Sequence, residues 1–105
     1  MMTGTPTHLG TLLAVLRNTG DAERFTEVRS FLREQLVMTR DTPIGRDYLF
    51  AGGSEELHAA LKDLVAIEHK HPCNLKFDYT ELNEYFLLRI VGQQEEREDI
   101  ASYFD

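Results

Sequence analysis

Cys73-Asn74-Leu75-Lys76-Phe77-Asp78-Tyr79, followed after a short break by Glu84-Tyr85-Phe86-Leu87-Leu88-Arg89-Ile90-Val91, decides the fold class. In the first run Leu75, Phe77 and Tyr79 alternate with Asn74, Lys76 and Asp78. That period of two is the mark of a strand with one buried face. In the second run Phe86, Leu88 and Ile90 lie on one face, and Tyr85, Leu87, Arg89 and Val91 on the other. Both faces are largely apolar, which predicts a central strand. Thr80–Asn83 makes the turn of a hairpin, and Gly92 ends the second strand.

Upstream the period is helical. Ser54 caps a helix whose apolar positions are Leu57, Ala60, Leu61, Leu64, Val65 and Ile67. Glu55 and Glu56 complement the positive end of its dipole. Pro72 ends it at or before His71. Tyr48-Leu49-Phe50-Ala51 is short and aromatic and reads as a strand. If this strand and the one from Cys73 share a sheet in parallel, the crossover between them is right-handed.

Asp21 is the N-cap expected for a further helix running to about Met38, with Phe25, Val28, Leu32 and Leu36 as its stripe and Phe31 well off it. Thr42-Pro43-Ile44-Gly45 breaks that helix. Before it, Leu9, Leu12, Leu13 and Leu16 recur at the spacing of one helical face, with Thr7 as cap and Asn18-Thr19-Gly20 as stop. So short a helix needs to dock, either on its own domain or on a partner. Residues 1–6 read as a frayed start. Gln93–Phe104 reads as a last helix anchored by Ile100, Tyr103 and Phe104.

The expected order is α-α-β-α-β-β-α: an α+β domain with a small mixed three-stranded sheet packed with helices. Residues 1–20 form an N-terminal tail with a short amphipathic helix, and 21–105 a single domain. At 105 residues and 42% apolar content, one modest core is expected.

Charge and composition exclude several functions. The net charge is −7, from 18 acidic and 11 basic residues. That field repels phosphate backbones and anionic bilayers, so neither nucleic acid nor membrane is an expected partner. No apolar run is long enough to span a bilayer, and the N-terminus lacks the pattern of a secretion signal. One cysteine permits no internal disulfide and suits a reducing cytoplasm.

Only Glu68-His69-Lys70-His71-Pro72-Cys73 concentrates residues suited to chemistry. At 100° per residue Glu68 continues the stripe of Leu57, Leu61 and Leu64, so its carboxylate reaches the end of the buried face and needs a partner. Arg89 is one candidate for a salt bridge. Glu68, His71 and Cys73 converge if the helix lasts, giving a candidate site for a soft metal such as zinc or copper(I). His58 and His69 share another, outward face, about 16 Å apart along a straight helix, too far to be co-ligands. A single thiol and no second cysteine or histidine pair at ligand spacing favour the plainer reading of Cys73 as a small buried hydrophobe.

Catalytic patterns are weaker. A Cys73–His71 dyad has no third orienting residue in view. Gly52-Gly53 is followed by Ser-Glu-Glu, whose charge repels phosphate. The aromatics Tyr48, Phe50, Phe77, Tyr79, Tyr85 and Phe86 follow strand positions and read as sheet core rather than as a pocket.

Gly45-Arg46-Asp47-Tyr48-Leu49-Phe50, Glu68 through Phe77, and Ile90-Val91-Gly92 together resemble a family of small bacterial proteins of uncharacterised function. That family carries a Gly-Tyr-x-Phe-like strand motif, a helix ending in Glu-Arg-x-Cys-Cys-Pro-Phe-Leu-x-Phe, and a strand ending near a glycine. Glu68, Leu75 and Phe77 match directly. The family's paired cysteines fall on His71 and Pro72, and its proline on Cys73. The resemblance, from about Phe25 to Phe104, implies the order of elements. It also implies a thiophilic site, which His71 and Cys73 would either preserve in altered form or have lost.

The expected function is a non-enzymatic accessory or regulatory domain that binds a protein partner or itself, with no cofactor. The leucine stripe Leu9, Leu12, Leu13 and Leu16 and the off-stripe Phe31 are its candidate interface. An isologous homodimer is the simplest use of such surfaces. The alternative is a zinc- or copper(I)-binding or thiol-sensing protein using the 68–73 segment.

Overall fold

The computed structural model describes residues 7–71 and 73–105. The frayed start expected at residues 1–6 and the helix-ending Pro72 lie outside the described residues. Helices α1 (His8–Thr19) and α2 (Ala22–Gln35) lead into a hairpin of β1 (Leu36–Thr42) and β2 (Gly45–Ala51). Helix α3 (Glu55–Lys70) connects to a second hairpin, β3 (Lys76–Glu81) and β4 (Tyr85–Val91). A 3-10 turn (Gln94–Glu96) and the short α4 (Arg97–Ala101) close the chain.

The α+β class holds, but the sheet has four strands in the order β1-β2-β4-β3, all paired antiparallel. Two expectations are corrected. The second helix stops at Gln35, and the stretch assigned to its end starts an extra strand. Leu36 had continued the helical spacing, yet Val37, Thr39 and Thr42 are β-branched and suit a pleated surface. Pro43-Ile44 is then not only a helix breaker but a two-residue hairpin turn, since Thr42 pairs with Gly45. Gly45 has to be a glycine, because a Cβ there would lie 1.9 Å from the Ile90 carbonyl oxygen.

The second correction concerns the crossover. β2 and β3 run the same way but are not neighbours, because β4 lies between them and bonds to both. The sheet is therefore antiparallel rather than mixed. The expectation that β4 is central holds.

Of the caps read from the sequence, those at Thr7, Ser54 and Gly20 form, whereas Asp21 precedes α2 without a side-chain capping hydrogen bond. Thr7 accepts from the Gly10 amide, Ser54 from the Leu57 amide, and Gly20 closes α1 in the left-handed region at φ 86°. Leu12 and Leu16 are buried in the protein's own core, with Leu9, Leu13 and Phe31 partly buried against it. The leucine stripe thus docks on its own domain, and α1 shares one core with residues 21–105. Of the final helix only Arg97–Ala101 is α-helical, but Ile100, Tyr103 and Phe104 are all buried as expected.

The helices cover one face of the sheet. Tyr48, Phe50, Phe77, Phe86, Leu88 and Ile90 point into the core that they share with α1, α2 and α3. Leu49 and Leu87 are paired across β2 and β4, and both stand outside that core cluster, on the opposite face. Among the described residues no helix is long and apolar enough to cross a membrane.

Candidate functional sites on the two faces of the sheet

On the helix side, the last turn of α3 carries Glu68 into the interior, where it is 2% exposed. Its partner is not Arg89. His8 Nε2 lies 2.9 and 3.1 Å from the two carboxylate oxygens, and the Tyr103 hydroxyl donates to Oε2. Glu68 therefore ties the first helix and the C-terminal segment to α3. Asp99 accepts from the His8 amide at 3.2 Å, which adds a second link between the two ends of the chain. A buried carboxylate needs such partners, because its desolvation is otherwise uncompensated.

Cys73 sits beside this network. The strand begins at Lys76 rather than at Cys73, so the cysteine lies in the connection and is exposed, not a buried hydrophobe. Its Sγ and the donor atoms of His8 and Glu68 all fall within 4.8 Å of one another. Of the three residues expected to converge, Glu68 and Cys73 do. His71 is not part of the cluster; its Nε2 is buried and has no hydrogen-bond partner among the described residues. The residue missed from the sequence is His8, 60 positions away from Glu68. Although the residue is exposed, its sulfur is partly shielded from water; this desolvation, with Glu68 and Glu96 adding to it and the Leu75 backbone contact opposing it, raises the Cys73 thiol above its ordinary range.

His58 and His69 face strand β3. His58 Nδ1 is 2.7 Å from the Tyr79 hydroxyl and 3.0 Å from Glu81, and a ring nitrogen of His69 is 3.2 Å from the Phe77 carbonyl oxygen.

On the other face the register builds two rows across all four strands. Arg40, Asp47, Arg89 and Asp78 stand in line on β1, β2, β4 and β3, alternating in sign. Met38, Leu49, Leu87 and Thr80 form the parallel apolar row. Asp47 is fully buried between its two arginines, with Arg40 at 2.7 Å and Arg89 gripping both oxygens at 2.7 and 3.0 Å. The Arg89 hydrogen bonds, helped by Arg40, hold the Asp47 carboxyl below its usual range in spite of its burial.

A depressed folded-state pKa stabilises the fold above the unfolded value, and that contribution is lost as pH falls through the folded one. Asp47→Asn is therefore expected to cost about 1–3 kcal/mol at neutral pH. It should also flatten the stability profile below about pH 4. Urea titrations across that range would measure both effects. An unchanged acid limb would mean that the ladder contributes nothing there.

The chain matches no family model, no curated protein and no solved structure.

Proposed function

We propose that this chain is a non-enzymatic accessory or regulatory domain that acts by pairing with a second copy of itself through the open sheet face. The alternation of the two cross-strand rows carries this reading. A two-fold axis parallel to the strands, between β2 and β4, lays β1 over β3 of the second copy and β2 over β4. Each row then faces its own reverse. Arg40 meets Asp78 and Asp47 meets Arg89, opposite charges throughout. Leu49 meets Leu87, Met38 meets Thr80, and Tyr85 meets Ala51, a large side chain over a small one. This is the self-complementarity that an isologous interface requires. Aligned packing of two twisted sheets is a standard arrangement.

Met38 is 49% exposed and Tyr85 37%, while Leu49 and Leu87 are each 8% exposed, so the apolar surface this face offers a partner comes mainly from Met38 and Tyr85. This reading relocates the interface from the leucine stripe, whose Leu12 and Leu16 are buried in the core and whose Leu9 and Leu13 pack against it. It needs no cofactor, and a reducing cytoplasm suits its exposed single thiol.

The test is sedimentation equilibrium over a wide concentration range. The wild type is expected to be a dimer, and Met38→Glu a folded monomer by circular dichroism. Adding Thr80→Lys to Met38→Glu places opposite charges across the axis and is expected to restore the dimer. A wild type that stays monomeric overturns the proposal. So does a dimer indifferent to Met38→Glu, which would point to the open edge of β1.

A further inference from the structure

We propose that His8, Glu68 and Cys73 form a zinc site that clamps the first helix to the end of α3. Three donors of different chemistry come from three separate segments: an imidazole from the first turn of α1, a carboxylate from the last turn of α3, and a thiol from the connection to β3. The donor atoms lie within 4.8 Å of one another. Tetrahedral zinc, with bonds of about 2.0–2.3 Å, needs donors about 3.3–3.8 Å apart. Closing the set asks for a movement on the order of 1 Å. Cys73 can supply that movement, because it is exposed and precedes the first ladder residue of β3.

The donor set selects the metal. Magnesium and calcium want oxygen ligands alone, and copper(I) prefers several soft donors, whereas one sulfur, one nitrogen and one carboxylate suit zinc. The surroundings support the site. The Tyr103 hydroxyl donates to one Glu68 oxygen and so orients the carboxylate, as the outer partners of metal ligands commonly do. A pocket of about 340 Å³, walled in part by Glu68, Cys73, Leu75 and Phe77, opens beside the thiol. Three protein donors leave the fourth position to a water from that pocket, so the site is open rather than sealed. On binding, Cys73 gives up its proton to solvent as the zinc–sulfur bond forms, with no change of oxidation state. Without metal, His8 Nε2 and Glu68 hold one another directly. Zinc would be inserted between them.

The experiment uses the full chain, purified without a histidine tag, and zinc or cobalt(II) salts alone. One zinc per chain is expected by native mass spectrometry, with a sulfur-to-metal charge-transfer band on cobalt(II) addition. His8→Ala and Cys73→Ser should each weaken binding at least about tenfold, while Tyr103→Phe weakens it by about tenfold and keeps the band. His71→Ala should bind as the wild type does. Absence of stoichiometric zinc overturns the proposal. So does full binding by His8→Ala, and so does loss of binding in His71→Ala, which would return the site to the 68–73 segment. Repeating the titration with Met38→Glu separates the site from the sheet face: binding unchanged there supports a site within one chain, and binding lost there overturns it.

Discussion

Replacing Tyr103 with alanine is expected to destabilise the fold by about 3–5 kcal/mol, the range for removing a large buried aromatic ring. The ring is fully buried. Its centroid is 5.0 Å from that of Phe104 and 5.4 Å from that of Phe77, with His8 at 6.3 Å. Its hydroxyl reaches the buried Glu68 carboxylate, and its carbonyl accepts from Arg29. Tyr103→Phe keeps the ring and removes only the hydroxyl. It is expected to cost about 1–3 kcal/mol, the penalty for leaving a buried polar group one partner short. The gap between the two variants separates packing from hydrogen bonding. Urea denaturation followed by circular dichroism, at one fixed protein concentration, measures both. An alanine variant within about 1 kcal/mol of the wild type would mean that the C-terminal segment melts before the rest of the core.

That Tyr103 and Phe104 anchor the end of the chain was legible from the sequence, as was the central place of β4, because both rest on local apolar pattern. Glu68 was legible too: its position on the α3 stripe forces a carboxylate into the interior whatever its partner. What was hidden depended on contacts between distant segments. β1 begins at Leu36, which extends the spacing of Val28 and Leu32 and so continues the helical pattern. Its hairpin turn, Pro43-Ile44, lacks the Asn-Gly or Asp-Gly signature, and among the described residues positive φ is confined to Gly20 and Gly53. His8 was hidden for a different reason. A histidine on the first turn of a leucine helix carries no local sign of what it meets, and only the docking of α1 brings it to Glu68.

The ladder Arg40–Asp47–Arg89–Asp78 required the register of four strands, and one of these was not foreseen. Arg89 was visible as the one charge on the second face of β4, and that single polar position in an otherwise apolar strand was its only signal. The ladder and the His8–Glu68–Cys73 cluster lie on opposite faces of the sheet. A substitution in one leaves the contacts of the other intact, so the two proposals fail or stand separately.

The fold is also expected to unfold steeply above pH 10. Burial raises the pKa of Tyr48 and, together with Glu68, drives that of Tyr103 well up. Tyr79 is pushed up to about 12 by burial and by Glu81. The sign follows from linkage. A phenol whose folded pKa is raised keeps its proton in the native state after the unfolded chain has lost it near pH 10. Its contribution is complete below pH 10 and is lost as pH climbs toward the folded value. Each fully buried phenol then subtracts up to about 1.4 kcal/mol per pH unit, so Tyr48 and Tyr103 together subtract about 2.7. Tyr79, more open to solvent, adds a smaller share. Against a typical domain stability of about 5–15 kcal/mol, that slope unfolds the protein within a few pH units. Phenolate absorbance and circular dichroism, followed together as pH rises, are expected to change in one cooperative step. In Tyr48→Phe/Tyr103→Phe the step should become shallower. Phenolate from Tyr48 and Tyr103 appearing near pH 10 with the secondary structure intact would show that neither ring is sealed from water, and the Glu68 network would then have to open without unfolding.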